Sequence, residues 1–242
     1  MNAPPSRIGA LFGPDVVALE AAPADVEGTL YPQEEAAIGR AVEKRRRELI
    51  AGRVLARRAL GELGLPPAPI PVGDDRAPVW PEGVVGSITH TRDYCAVVVA
   101  RREHVRSLGA DAELGEPLGE HLWRRVCTDR ERRWLGDRPA GEQGRLAKVV
   151  FSVKECLYKA QYPLTHQFLG FQDVEAELDP SSGTFEVTFG RAAGDVFAPG
   201  DRLAGRFRHV DGLVLCALTI PAAPLGRGSA GRAQAADATA RD

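Results

Sequence analysis

Two carboxylates that follow an apolar segment constrain the middle of this chain most strongly. The apolar run 94–100 and a short basic connector lead into Leu108-Gly-Ala-Asp-Ala-Glu113, which carries Asp111 and Glu113. In an extended strand, side chains two positions apart point to the same face, so the spacing predicts two adjacent carboxylates. Two hard oxygen ligands among small alanines favour Mg²⁺ over Zn²⁺. The alternative interpretation is a polar strand end beside a turn.

A second motif, Phe151-Ser-Val-Lys-Glu-Cys-Leu-Tyr-Lys-Ala160, brings a third carboxylate next to two lysines. Glu155 and Lys159 are four positions apart and would share one face of a helix. Metal-assisted phosphoryl transfer requires carboxylates that hold the metal and ammonium groups that neutralise phosphate charge. The pattern therefore predicts a phosphoryl-transfer site, and its alternative is an ordinary ion pair on a helix surface.

Lysine is rare in this chain, and its positions add weight to the second motif. Of the 31 lysine and arginine residues, only residues 44, 148, 154 and 159 are lysine. Two of the four lysines thus fall within one six-residue stretch. For Lys154 and Lys159 we favour the interpretation that a compact ammonium charge is required, which arginine cannot replace.

Composition argues against several classes of function. With 242 residues and 44% hydrophobic content the chain can bury a substantial core, and a net charge of −2 argues against general nucleic-acid binding. The four cysteines show no CxxC spacing, so neither a zinc site nor a disulfide framework is expected. No segment has the pattern of a signal peptide or a membrane span, and the predicted location is the cytoplasm.

Helical and extended patterns alternate along the chain. Residues 32–63, 118–134 and 145–162 have helical patterns. Strands are predicted at 16–19, 86–89, 94–100, 105–112, 174–178, 185–189, 203–209 and 213–220. The last two strands are separated by Val210-Asp211-Gly212, whose Asp-Gly pair favours a hairpin. The predicted fold class is therefore α+β with antiparallel sheets.

Five motifs together resemble those of the 4′-phosphopantetheinyl transferases, and most closely the larger, monomeric type that activates peptide and polyketide synthases and siderophore assembly lines. The motifs are Lys44-Arg-Arg-Arg-Glu-Leu-Ile-Ala-Gly-Arg53, Val79-Trp-Pro81, Gly86-Ser-Ile-Thr-His90, Leu108–Glu113 and Phe151–Lys159. Each motif alone is weak, whereas five in the same order and spacing between residues 32 and 220 are specific.

The resemblance implies a fold of two pseudo-symmetric α+β halves with coenzyme A bound between them. We accordingly predict an N-terminal half at 1–107, a C-terminal half at 108–221 and a disordered tail at 222–242, where the composition falls to Ala, Gly, Arg and Ser. The implied reaction transfers 4′-phosphopantetheine from coenzyme A to a serine of acyl or peptidyl carrier proteins and releases 3′,5′-ADP. The implied cofactor is Mg²⁺ or Mn²⁺, and the implied protein is a monomer that binds neither nucleic acid nor membrane.

The resemblance also assigns roles to residues of the matching motifs. Asp111, Glu113 and Glu155 would bind the metal, and Glu155 would take the proton from the serine hydroxyl, directly or through a bound water. Lys154 and Lys159 would contact the pyrophosphate and stabilise charge as its bond breaks. The other residues expected to bind coenzyme A are Arg45, Arg53, Arg76, Thr89 and His90.

Arginine clusters leave two assignments open. The coenzyme A-binding position assigned to Arg45 could instead be occupied by Arg46 or Arg47. Most arginines of that helix would form a solvated face. A second set could dock acidic carrier proteins or could be a charged helix face balanced by nearby acids. This second set consists of Arg124, Arg125, Arg130, Arg132 and Arg133.

Two other functions compete with this interpretation. Another Mg²⁺-dependent phosphoryl or nucleotidyl transferase is disfavoured, since the sequence has no Gly-x-x-x-x-Gly-Lys loop to hold a nucleotide phosphate. A non-catalytic coenzyme A-binding or carrier-binding protein is the alternative from a different class. The presence of all three acids and both lysines argues against that alternative.

Overall fold

The computed structural model describes residues 6–36, 38 and 43–222. Its α-helices in these ranges are α1 (Pro32–Glu35), α2 (Glu43–Glu62), α3 (Trp123–Val126), α4 (Asp129–Gly136) and α5 (Ala140–Thr165). The strands are β1 (Val16–Ala21), β2 (Val84–His90), β3 (Cys95–Arg101), β4 (Val105–Leu114), β5 (Val174–Asp179), β6 (Thr184–Phe189), β7 (Arg202–Val210) and β8 (Leu213–Pro221). None of the helices described here is both long enough and apolar enough to cross a membrane.

The described strands form two antiparallel sheets, and one long helix packs on each of them. The first sheet has the order β1-β3-β2 and carries α2, and the second has the order β4-β8-β7-β6-β5 and carries α5. The predicted α+β class with antiparallel sheets is therefore confirmed. The two halves share this plan but differ in size, because one sheet has three strands and the other has five.

The uninterrupted apolar sequence of β3 reflects burial on both faces of the strand. Val97 and Val99 belong to the core beneath α2, whereas Ala96 and Val98 belong to a second core that includes Leu215 of β8. A strand whose two faces are both covered needs no alternation of apolar and polar residues. The second core joins the two halves of the molecule.

β4 lies at the edge of the five-stranded sheet, pressed against α5. A Cβ atom at Gly109 would lie 2.1 Å from the carbonyl oxygen of Cys156, so only glycine permits this approach. On the same strand, the Ser107 hydroxyl donates a hydrogen bond to the carbonyl of Ala160 at 2.6 Å. The glycine of the first sequence motif thus allows the strand with two carboxylates to contact the helix of the second motif.

The hairpin prediction is confirmed, and the segment 118–134 is helical as predicted but divided into short helices. Asp211 (φ 50°) and Gly212 (φ 74°) both adopt the left-handed conformation between β7 and β8. The segment 118–134 is not one helix, because Thr128 begins a new one. The Thr128 hydroxyl accepts the Glu131 N–H at 3.2 Å, and the Glu131 carboxylate accepts the Thr128 N–H at 2.7 Å.

Other boundaries are only partly covered by the described residues. The predicted helix 32–63 contains α1 and α2, and residues 37 and 39–42 between them lie outside the described part. The predicted tail lies outside it from residue 223 onwards. The proposed boundary between 107 and 108 falls within β4 and stays a prediction.

Candidate active site

β4 presents its two carboxylates to α5. Asp111 accepts hydrogen bonds from Lys159 Nζ at Oδ1 (2.6 Å) and from Ser152 Oγ at Oδ2 (2.7 Å). Glu113 Oε2 lies 3.4 Å from Lys148 Nζ. Because both acids contact the same helix, their predicted placement on one face of a strand is confirmed.

Four residues of α5 form the helix face that meets these acids. Lys148, Ser152, Glu155 and Lys159 are separated by four, three and four positions, which is the spacing of one helix face. Glu155 borders a cleft between the two halves of the molecule. Within the described residues, its carboxylate has no hydrogen-bond partner.

Negative charge accumulates at this junction. Burial and the neighbouring Asp111 carboxylate raise the pKa of Glu113 and also that of Glu155. Burial lowers the pKa of Lys159, but the adjacent Asp111 carboxylate more than offsets this effect, so its pKa lies above the ordinary value. The raised pKa values of Glu113 and Glu155 mean that a positive charge placed beside them would favour their ionised forms.

The donor set fits a hard divalent cation. Carboxylate oxygens are the ligands that Mg²⁺ and Mn²⁺ prefer, and Asp111, Glu113 and Glu155 influence one another electrostatically. In the described part of the chain, no three His, Cys, Asp or Glu side chains are arranged as a ready metal cluster. Both Asp111 oxygens are engaged by Lys159 and Ser152, so these contacts would have to rearrange around a metal.

A cavity of about 470 Å³ lies between α2 and β2, and it collects most of the basic residues expected to bind coenzyme A. Arg45 and Arg53 line it together with Glu48 and other residues that recur on one face of α2. His90 at the end of β2 and Arg76 from the loop before β2 complete the basic wall. The structure thus brings together four residues that are distant in the sequence.

Arg53 is the most buried of these basic residues. Only 5% of it is exposed, and its Nε atom has no hydrogen-bond partner among the described residues. Burial lowers its pKa, although the nearby Glu34 opposes this effect. Arginine stays charged even so, and a buried guanidinium with an unused donor beside a cavity is suited to an anionic ligand.

His90 is held by two neighbours on α2. Arg45 Nη1 donates to His90 Nε2 at 2.8 Å, so the ring proton of the neutral imidazole must be on Nδ1, which lies 3.7 Å from Glu48. Burial lowers the pKa of His90, and the charge of Arg45 adds to this effect, while Glu48 opposes it. The imidazole is therefore neutral at neutral pH and close to a cation.

Arg76 connects the first cavity to a second one. It lines both and has a φ of 67°, an unfavourable backbone conformation for a residue other than glycine. The second cavity, of about 490 Å³, lies between the halves and is bordered by Trp80 on one side and by Glu155 and Lys159 on the other. The basic wall and Glu155 of the acidic junction therefore border two neighbouring cavities.

A third cavity continues this cleft beyond Glu155. It has a volume of about 470 Å³ and shares Glu155 and Tyr158 with the second cavity. Its other walls are mostly apolar and include Leu157, Leu169 and Phe171. A long ligand could thus place a phosphate at the arginines, a charged centre at the acids and an apolar arm here.

The structure does not place Lys154 where the sequence interpretation expected it. Its ammonium group donates to the Glu131 carboxylate (2.8 Å) and to the carbonyls of Val126 (2.9 Å) and Phe171 (2.7 Å), and 1% of the side chain is exposed. All three donors are used, so the expected pyrophosphate contact is not available. Helical geometry separates the two residues, because consecutive residues point about 100° apart: Glu155 borders the second and third cavities, whereas Lys154 borders only the third.

Thr89, which the resemblance assigns to coenzyme A binding, lines none of the three cavities described above. Its hydroxyl oxygen is buried and accepts a hydrogen bond from the Ala112 N–H at 2.9 Å. It therefore contacts β4 at the residue between the two carboxylates.

The sequence interpretation missed three residues at or behind this site. They are Ser152, which donates to Asp111; Lys148, which approaches Glu113; and Glu131, which binds Lys154. The helical spacing of 148, 152, 155 and 159 would have identified the first two. The capping pattern of Thr128 and Glu131 marks a helix start, but it does not predict the contact with Lys154.

Comparisons with known proteins agree with this architecture. The model of the 4′-phosphopantetheinyl transferase N-terminal domain matches residues 33–100, and the model of the 4′-phosphopantetheinyl transferase superfamily matches residues 107–199. The 4′-phosphopantetheinyl transferase Svp of Streptomyces mobaraensis is 40% identical over 214 residues, covering 85% of this chain and 84% of Svp. PptT of Mycobacterium tuberculosis is 38% identical over 202 residues, covering 79% and 86%. Enterobactin synthase component D of Salmonella typhi is 34% identical over 119 residues, 48% of each chain.

These matches extend over most of the chain, so it belongs to the 4′-phosphopantetheinyl transferase family. Members of this family are enzymes that use coenzyme A as a substrate, and the resemblance inferred from the five motifs is confirmed.

Proposed function

We propose that this enzyme transfers 4′-phosphopantetheine from coenzyme A to a serine hydroxyl of an acyl or peptidyl carrier protein in a Mg²⁺-dependent reaction that releases 3′,5′-ADP. One observation carries the proposal: Arg53 and His90 line one cavity, Glu155 lines the next beside Asp111 and Glu113, and Arg76 lines both cavities. Coenzyme A has phosphates at both places that such a cleft would bind, namely a 3′-phosphate and a pyrophosphate.

The basic wall would bind the 3′-phosphate. Arg53 offers a buried guanidinium with an unused Nε donor, and Arg45 is within hydrogen-bond distance of His90 on the same wall. Arg76 would contribute from the loop that separates the first two cavities. These groups would bind coenzyme A far from the bond that breaks. The free energy of this binding would help to hold the reacting atoms in position.

The acidic junction would hold the metal through Asp111, Glu113 and Glu155. When bound there, Mg²⁺ would neutralise charge on the pyrophosphate. Glu155 is the group that we propose accepts the proton of the serine hydroxyl, because burial keeps its pKa above the ordinary value and it faces the cleft. The serine oxygen then forms a bond to the phosphorus that carries the pantetheine, and the bond to 3′,5′-ADP breaks.

Lys159 would supply the fixed positive charge of this step. Its ammonium group binds Asp111 and the Ala110 carbonyl, and 28% of its side chain is exposed towards the cleft. A cation at this position stabilises the negative charge that develops on the leaving pyrophosphate oxygen. Lys154 has no part in this proposal, because its ammonium group is bound by Glu131 and two backbone carbonyls.

Carrier proteins are the proposed partners, and Arg125 is the best placed of the five arginines considered for docking. Arg130 binds Glu175 and Glu177, and Arg132 binds Asp129. Arg125 instead lines the apolar cavity next to Glu155. We expect Arg125→Glu to raise KM for an acidic carrier with KM for coenzyme A unchanged, and Arg132→Glu serves as the control. Unaltered carrier kinetics in Arg125→Glu would remove this docking assignment.

Three finer assignments belong to the same proposal. The partial match to an enterobactin synthase component supports carriers of siderophore assembly, alongside those of peptide and polyketide synthases. All four cysteines are free and buried, which agrees with a reducing compartment such as the cytoplasm. We propose a monomer, because the cleft is built from the two halves of one chain.

The test is the intact mass of an apo carrier protein after incubation with the enzyme, coenzyme A and Mg²⁺, with an EDTA control. We expect a gain of one phosphopantetheine group that is lost with EDTA, together with 3′,5′-ADP among the products. A panel of acyl and peptidyl carriers covers the choice of partner. No gain with any carrier, while coenzyme A still binds, would contradict the proposal in favour of a non-catalytic binding protein.

A further inference from the structure

The two halves meet where each sheet has an edge strand. β2 is an outer strand of the three-stranded sheet, β4 is an outer strand of the five-stranded sheet, and the two lie side by side. Edge strands have backbone N–H and C=O groups without a partner in their own sheet, and such groups need other partners when they are buried. Among the described strands, no backbone ladder joins β2 to β4.

Two hydroxyl groups of β2 replace that ladder. The Ala112 N–H donates to Thr89 Oγ1 at 2.9 Å, and the Ala110 N–H donates to Ser87 Oγ at 3.2 Å. Only 3% of each of these hydroxyl residues is exposed. The two hydrogen bonds lie on either side of Asp111, so the N-terminal half holds the acidic strand at two consecutive outward-facing amides.

The position of Thr89 relates the two parts of the proposed site. Its neighbour His90 belongs to the basic wall, and its partner Ala112 lies between Asp111 and Glu113. One buried hydrogen bond therefore joins the strand that carries His90 to the strand that carries the two carboxylates.

We propose that Thr89 is a positioning residue that aligns the metal-binding carboxylates with the bound coenzyme A, rather than a group that contacts coenzyme A itself. This inference rests on the proposed function, because it assigns the acids to a metal. Ser87 supports the same strand from the opposite side of Asp111.

The experiment compares Thr89→Val with Thr89→Ser in the full-length protein. Valine keeps the shape of threonine but cannot accept the Ala112 N–H, whereas serine can. For Thr89→Val we expect kcat to fall about tenfold and Mn²⁺ affinity, measured by electron paramagnetic resonance with coenzyme A present, to weaken about tenfold. Coenzyme A affinity measured without metal should stay within about twofold, and Thr89→Ser should restore kcat and Mn²⁺ affinity.

Hydrogen exchange gives a readout that does not depend on turnover. The peptide covering 105–114 should exchange faster in Thr89→Val than in the wild type, and at the wild-type rate in Thr89→Ser. If the wild type shows no transfer, the proposed function fails, yet this exchange result still tests the contact. Should Thr89→Val not fold, Ser87→Ala provides the same comparison at Ala110.

Two results would overturn the proposal. If Thr89→Val loses tenfold or more in metal-free coenzyme A affinity while Mn²⁺ affinity is unchanged, the hydroxyl contacts the substrate. If exchange, metal affinity and kcat all match the wild type, the hydrogen bond does not position the acids.

Discussion

Lys154 and Lys159 belong to one motif on one helix, yet their surroundings differ completely. Lys154 is surrounded by one carboxylate and two backbone carbonyls, and 1% of its side chain is exposed. Lys159 binds Asp111 on the opposite side, and 28% of its side chain is exposed to the cleft. A motif therefore identifies residues that matter, whereas burial and partners decide which of them can contact a substrate.

Their acidic partners differ in the same way. Glu131 accepts hydrogen bonds from Lys154, the Thr128 N–H and the Ala176 N–H, and it also completes the cap of α4. Asp111 binds Lys159 and Ser152 and lies beside two further acids, of which Glu155 borders the cleft. The first pair fixes α4, α5 and β5 relative to one another, and the second is available for chemistry.

The largest effect that we expect is the loss of stability in Lys154→Met. Removing one partner of a buried ion pair leaves Glu131 charged and unpaired, which costs about 3–5 kcal/mol. Urea unfolding measures this, and Lys154→Met combined with Glu131→Gln should recover part of the loss. A Lys154→Met protein that is as stable as the wild type but inactive would instead support a catalytic role for Lys154.

Lys159→Met should show the reverse pattern. We expect kcat to fall about 10²- to 10³-fold because the fixed cation beside the pyrophosphate is gone. The free energy of unfolding should fall less than in Lys154→Met, since 28% of the Lys159 side chain is exposed against 1% for Lys154. Steady-state kinetics and urea unfolding should be measured for both methionine variants. Equal losses of stability in the two variants would contradict the different roles assigned to Lys154 and Lys159.

Arg53→Met should weaken coenzyme A binding about tenfold, because the 3′-phosphate would lose a charge-assisted contact. Calorimetry with 3′-dephospho-coenzyme A provides the matched ligand, and its affinity should change much less. Arg58→Met, at an exposed position of the same helix, is the control variant. Equal losses for both ligands would show that Arg53 does not bind the 3′-phosphate.

The smallest expected effect is a pH dependence that originates at His90. Burial holds its pKa below the ordinary value, so the free protein has a neutral imidazole above pH 7. A bound phosphate favours the protonated form, so the complex takes up protons and affinity rises a few-fold between about pH 8 and 6. His90→Gln should lack this increment, and an identical pH profile in both proteins would exclude the contact.

Much of this site could be predicted from local patterns. A spacing of two in a strand predicted that Asp111 and Glu113 share a face, and a spacing of four in a helix predicted the same for Glu155 and Lys159. The hairpin at Asp211 followed from turn chemistry. These features depend only on residues that are close in the sequence, so they can be predicted from it without knowledge of the tertiary structure.

Contacts between distant segments were not predictable in the same way. Lys154 and Glu131 are 23 positions apart, and Thr89 and Ala112 are also 23 apart. Their pairing depends on how α4 docks on α5 and on how the two sheets meet. The 100° between Lys154 and Glu155 could have indicated that the two side chains have different partners.

The binding of Mn²⁺ in the presence of coenzyme A, followed by electron paramagnetic resonance, tests the central claim most directly. For the wild type and for Asp129→Asn, which changes an exposed acid of α4, we expect one tightly bound ion. Asp111→Asn should weaken that binding at least about a hundredfold and lose transfer in parallel, while its unfolding transition stays near that of the wild type. Wild-type Mn²⁺ affinity in Asp111→Asn, or transfer that persists in EDTA, would contradict the assignment of these carboxylates to a metal.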